Sequence, residues 1–182
     1  MKLFTIQVII ILVLLSCTVN AQFTVSNVGA GITAGNFKGN STSIFGLGAA
    51  VSVDVLPWFS DVIFIRPSFM ITRKAEYFFP ENRTFRYYPF IKVFAVEGVI
   101  QQYITKSIFI EESAGIIYLN DRTFSDTNVW DLGTTFSVIG GIDFRAGEDS
   151  GFTIGAGINY GVTFSGTNAS YVLMKLQTQY YF

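Results

Sequence analysis

Residues 151–164 read GFTIGAGINYGVTF, and the chemistry of the chain switches at every step. Phe152, Ile154, Ala156, Ile158, Tyr160, Val162 and Phe164 fall on one side of an extended chain, while Thr153, Gly155, Gly157, Asn159, Gly161 and Thr163 fall on the other. Successive side chains of a strand point to opposite faces, so a period of two marks a two-faced strand. The C-terminal segment repeats the pattern: Val172, Met174, Leu176, Thr178, Tyr180 and Phe182 stand against Tyr171, Lys175, Gln177 and Gln179.

Working backwards, Leu132, Phe136, Val138, Ile142 and Phe144 oppose Gly133, Thr135, Ser137, Gly141, Asp143 and Arg145. Ile63, Ile65, Phe69 and Ile71 oppose Arg66, Ser68, Thr72, Lys74 and Glu76, and the apolar series Phe45 to Val55 opposes Gly46, Gly48, Ser52 and Asp54. Less regular segments near 22–37, 88–104 and 107–119 bring the number of strands to eight. No stretch has a period of 3.6, so no helix of note is expected after the leader. Short turns at 56–61, 105–106 and 146–150 alternate with segments read as longer loops at 38–42, 75–87, 120–130 and 165–169. Short turns on one side and longer loops on the other are the asymmetry of outer-membrane barrels. The expected fold is all-β: an eight-stranded antiparallel up-and-down transmembrane β-barrel over residues 22–182, with both termini on the periplasmic side.

Composition points the same way. Of 182 residues, 50% are hydrophobic and only 14% charged, against about 25% charged in ordinary soluble domains. A net charge of -1 provides no field that would draw in nucleic acid. Lys2, the apolar run Leu3 to Leu15 and the small-x-small site Val19-Asn20-Ala21 read as a secretory signal over residues 1–21, cleaved before Gln22. A rival reading lipidates Cys17 in the sequence Leu14-Leu15-Ser16-Cys17. Cys17 is the sole cysteine, so removal of the leader leaves a chain without thiols.

Energetics assign the faces. A Lys or Arg against lipid at the bilayer midplane costs about 2 to 4 kcal/mol. Arg66, Glu97, Glu111, Asp143, Arg145 and Lys175 are therefore expected inside, as an ion-pair network that plugs the lumen, since eight strands leave room only for side chains. A soluble lipocalin-like barrel would reverse the faces. Its water-facing side would then be Gly, Ser and Thr nearly bare of charge, whereas solvated surfaces carry many Lys and Glu. Aromatic residues at strand ends, among them Trp58, Phe59, Trp130, Phe144, Phe152, Phe164 and Tyr180, suit interfacial girdles. Two positions break the alternation. Lys92 is read as snorkelling to the interface, and a β-bulge is expected near the adjacent pair Glu111 and Glu112 to turn both inward.

The terminal Tyr180-Tyr181-Phe182, preceded by alternate apolar residues, resembles the signal that outer-membrane barrels present to their insertion machinery, with Tyr180 and Phe182 as its carriers. The leader ending Ala21-Gln22, the Gly-rich VGAGITAG, Phe64-Ile65-Arg66-Pro67-Ser68 after a short turn and the Gly-rich closing strand are together similar to the small PorT-like and OmpX/OmpA-like barrels. The resemblance covers nearly all of the chain after the leader. It implies insertion from the periplasm and carries no catalytic residues.

The chain contains no histidine, which removes the imidazole base of Ser-His-acid and related chemistries and the usual zinc ligands. No catalytic, cofactor or metal site is expected, and a lumenal carboxylate site at Glu97, Glu111 and Asp143 is the weaker alternative to an ion-pair network. The glycines 155, 157 and 161 lack the following helix that a nucleotide-binding run needs, and they read as inner-face residues making room for long neighbours. Arg73, Lys74, Arg83 and Arg86, interleaved with aromatics, form a candidate loop rim for lipopolysaccharide phosphates or a surface protein. Asn40, Asn82 and Asn168 begin glycosylation-like triplets taken as chance. The sequence thus reads as a non-enzymatic barrel in outer-membrane lipid with a surface-loop, envelope or secretion-assembly role, and a small porin-like transport channel is its main alternative.

Overall fold

The computed structural model describes residues 23–60, 62–82, 86–145, 148–164 and 166–182. The leader with Cys17 and the rim residue Arg83 lie outside the described residues. Eight strands, β1 (Thr24–Lys38), β2 (Ile44–Leu56), β3 (Ile63–Lys74), β4 (Phe90–Tyr103), β5 (Ile108–Arg122), β6 (Val129–Asp143), β7 (Gly151–Thr163) and β8 (Ser170–Tyr181), pair in chain order and close as β8 meets β1. Every pairing is antiparallel. Closure removes the unpaired sheet edge that a bilayer does not tolerate.

The register staggers as it goes round. Gly29 pairs with Ser52, Ser52 with Ser68, Ser68 with Ala95, Ala95 with Ile117, Ile117 with Gly133 and Gly133 with Thr163. Thr163 bonds Ala169, one step beyond the last β8–β1 pair, Ser170 with Lys38, so the circuit that began at Gly29 returns next to Gly39. Such a stagger tilts the strands, by about 35–45° in barrels of this size.

The facing follows the alternation of the sequence. Ile154, Ile158 and Leu176 point outward, whereas Asn159, Lys175 and Gln177 are buried inside. The exposed belt is apolar around its circumference, with Ile32, Val51, Phe94, Ile116, Leu132, Phe136, Val138 and Met174 all open. A soluble barrel would bury such groups, so the reversed arrangement is ruled out by the facing itself. At the end carrying both termini, Phe152 packs on Tyr180 and Tyr180 on Phe182. Towards the other end, Trp130 stacks between Tyr118 and Phe94.

Three expectations are corrected. No bulge lies near Glu112: β5 keeps unbroken register, with Glu112 opposite Ile100 on β4 and Val138 on β6. The carboxylate faces outward, because Glu111 satisfies the inward position by itself. The single register shift lies instead between Val25 and Asn27. The loop asymmetry is also weaker than the sequence implied. β5 runs on to Arg122 and β6 begins at Val129, which leaves 75–89 as the one long connection; it includes short 3-10 turns at Ala75–Phe78 and Pro80–Asn82. Thirdly, the lumen is not polar throughout. Phe37, Ile91, Val93, Ile117, Leu119 and Leu173 turn inward and form an apolar cluster in the half nearer that long connection.

Candidate functional site: a layered lumen and a cationic rim

The interior is filled in layers. At the mouth near the termini, Arg145 Nη2 lies 2.7 Å from Asp143 Oδ2 and donates to Tyr103 Oη at 2.6 Å. The Tyr103 hydroxyl donates in turn to Asp143 Oδ2 at 2.8 Å. Hydrogen bonding to Asp143 raises the Arg145 guanidinium above its ordinary pKa, which keeps it charged. The guanidinium also sits 3.9 Å from the centroid of the Tyr181 ring.

Deeper in the barrel, Arg66 is 1% exposed and forks two carboxylates at once. Its Nε and Nη2 donate to Asp54, the latter at 2.6 Å, and its Nη1 and Nη2 donate to Glu111, the latter at 2.9 Å. Asn27 Nδ2 donates to Asp54 at 2.8 Å, and Gln177 Nε2 donates to Glu111 at 3.1 Å. Carboxylates from β2 and β5 thus converge on the β3 guanidinium, and amides from β1 and β8 brace those carboxylates. A buried charge is tolerated only when paired and hydrogen-bonded, and this cluster meets both conditions.

Next comes a hydroxyl layer. Ser113 Oγ donates to Glu97 Oε1 at 2.8 Å and lies 2.7 Å from Ser137 Oγ. Lys175 is buried nearby without a hydrogen bond or ion pair among the described residues. The cavity between Glu97, Asn159, Tyr171 and Lys175 measures only about 20 Å³. The apolar cluster then closes the remaining half.

The six lumenal residues read from the sequence do not form one hydrogen-bonded network. Arg66 meets Glu111; Asp143 meets Arg145 at the mouth; Glu97 goes with serines; Lys175 hydrogen-bonds none of them but lies within electrostatic reach of Glu97 and Glu111. Glu97, Glu111 and Asp143 sit in separate clusters. Sequence reasoning missed Asp54 as the second partner of Arg66, along with Asn27, Gln177 and Tyr103. Asp54 was on the inward parity of its strand, which was the available signal.

On the outer surface the rim residues also disperse. Lys74 pairs with Glu76 at 2.9 Å. Arg86 lines a cleft of about 410 Å³ with Ser41, Tyr87, Tyr88 and Phe124. Arg73 leaves them for two aromatic rings, 4.2 Å from the Tyr77 centroid and 4.9 Å from that of Phe90. Lys92 and Arg122 join it on Phe90, at 5.6 and 5.7 Å. Arg122 was not singled out in the sequence, because its place beside Arg73 is set by strand register across β4 rather than by spacing along the chain.

A closed eight-stranded barrel with an apolar exterior and paired charges inside has the fold of the small transmembrane barrels of outer membranes. Solved structures agree. Neisserial surface protein A superposes with a TM-score of 0.66 at 8% identity, over 88% of this chain and 99% of that one. The attachment invasion locus protein Ail of Yersinia pestis does so with a TM-score of 0.53 at 14% identity, over 87% of this chain and 100% of that one. A second Ail structure, in complex with the heparin analogue sucrose octasulfate, gives 0.54 at 14% identity over 86% and 97%. No family model and no curated protein matches the sequence.

Proposed function

We propose that the protein is a non-enzymatic integral barrel of the outer membrane that works through its outer rim and loops rather than through its lumen. The observation that carries this reading is the stack of interior layers: ion pairs, hydroxyls and an apolar cluster occupy successive levels under an apolar lipid-facing belt. A small diffusion channel needs a continuous polar path, and the cluster of Phe37, Ile91, Ile117, Leu119 and Leu173 interrupts one. With an even number of strands both termini lie at one end, which we assign to the periplasm, following export by the leader and recognition of Tyr180 and Phe182 by the insertion machinery. The end with the 75–89 connection then faces outward. Its cleft, lined by Arg86, hydroxyls, tyrosines and the Lys74–Glu76 pair, supports engagement of an anionic sugar or a glycolipid headgroup through Arg86 and the hydroxyls. The bound heparin analogue in one Ail structure is of that chemistry.

Purified full chain in planar bilayers tests the reading. No stable conductance is expected, and the unboiled protein should migrate apart from the boiled protein in a denaturing gel. Stable large channels would refute the sealed lumen.

A further inference from the structure

Three cations crowd one aromatic ring on the outward surface. Arg73, Phe90 and Arg122 stand directly opposite one another across β3, β4 and β5, and Lys92 follows two positions along the same face. Their charged groups lie 4.9, 5.6 and 5.7 Å from the Phe90 centroid. One ring quadrupole attracts cations but does not neutralise three, and charges this close repel one another.

No carboxylate answers them. None of the three side chains makes a hydrogen bond or ion pair among the described residues, and Arg122 Nε is buried without a partner. Glu76 is engaged by Lys74, while Asp121 is buried inside and accepts the backbone N–H groups of Asn40 and Thr123. Arg73 also lines one end of an outward groove of about 670 Å³, within the roughly 300–1,000 Å³ range of ligand sites. The small side chains of Ala34, Ala49 and Ala156 give it depth; Leu47 and Met174 line it too, and Phe78 from the 3-10 turn joins Arg73 there. Its lining is almost wholly apolar, with Arg73 at its β3 end and, on β8, Lys175, whose side chain is turned into the lumen.

We infer that this surface binds one lipid with a phosphate-bearing headgroup from the outer leaflet. An acyl chain fills the groove and the phosphate lies across Phe90 against Arg73, Lys92 and Arg122. Guanidinium forks match phosphate oxygens in bidentate geometry, and a free anion would leave the groove unused. The inference rests on the proposed outer-membrane orientation.

The test is native mass spectrometry of the full chain released from phosphatidylcholine vesicles doped with diphosphoryl lipid A or with its fully dephosphorylated form. One diphosphoryl lipid should remain bound, and the dephosphorylated form should be retained at least about tenfold less. Combining Arg73→Gln with Arg122→Gln should remove that preference, and Ala49→Phe, which fills the groove without altering a charge, should lower retention of both lipids. Equal retention of the two lipids, no effect of either variant, or displacement by inorganic phosphate at equal concentration would overturn the site. Lys92→Gln provides a milder variant should the double substitution lose the gel shift. Absence of that shift in the unaltered protein would instead count against the membrane-barrel reading.

Discussion

Arg66 on β3 grips Glu111 on β5 through two parallel hydrogen bonds across the lumen, with both side chains 1% exposed. Asp54 holds the opposite edge of the same guanidinium. Removing the cation strands two carboxylates where water does not reach. Arg66→Met is expected to cost about 3 to 5 kcal/mol, the penalty of breaking a buried pair from one side. Combining it with Asp54→Asn and Glu111→Gln should restore most of the loss. Urea unfolding in lipid vesicles measures both, and a single-variant loss below about 1 kcal/mol, the range of an exposed pair, would show that the cluster is hydrated.

That cluster is not the sole barrier to flow. The apolar cluster lies on the far side of it, and hydrophobic constrictions close pores by dewetting. Arg66→Ala should therefore leave planar-bilayer conductance at baseline, whereas adding Phe37→Ala and Leu173→Ala should open measurable current. Current from Arg66→Ala alone would place the whole seal in the polar layer.

How much of this was legible in the sequence differs strand by strand. Apart from the inward Ile139 and Leu173, β6, β7 and β8 alternate between lipid-facing apolar and lumen-facing polar or small groups, so period, face and the inward placement of Lys175 and Gln177 could all be read directly. β4 and β5 could not be read so well, because their outer halves are apolar on both faces. Ile91 and Val93 pack inside while Phe94 and Val96 meet lipid, and alternation vanishes when the lumen itself is hydrophobic. The cost of a charge in lipid together with parity assigned the charged residues to the interior, and neither gives height. For that reason Arg66 with Glu111 and Asp143 with Arg145 came out as separate pairs. Partners such as Asp54 and Arg122 are set by register between strands, which no single-chain pattern encodes.

Glu112 offers a direct measure of the outer surface. It lies on the lipid-facing side of β5 between Ile110 and Ala114, and its neighbours across the register are Ile100 and Val138. An acidic group on such a surface costs less than the about 2–4 kcal/mol of a basic one at the midplane, yet still costs. Glu112→Leu should stabilise the barrel in vesicles by about 1 kcal/mol. A loss of stability on that substitution would mean that the carboxylate has a partner in the membrane.

The glycines separate into those the barrel requires and those it does not. A Cβ at Gly161 would lie 2.4 Å from the Tyr171 ring, and one at Gly141 would lie 2.3 Å from that of Phe109. These inward glycines are the seats of large aromatic side chains, one of which, Tyr171, bonds Thr135 at 3.1 Å. Gly140, next in the chain to Gly141, points outward, and a Cβ there meets nothing within 4 Å. Gly161→Ala should thus force Tyr171 aside and destabilise the barrel by about 1 to 3 kcal/mol, as overpacking does. Gly140→Ala should be neutral or slightly stabilising, because it removes backbone freedom without a clash. Comparing the two unfolding midpoints in the same vesicles isolates packing from chain entropy, and equal losses would mean that the aromatic seats do not shape the lumen.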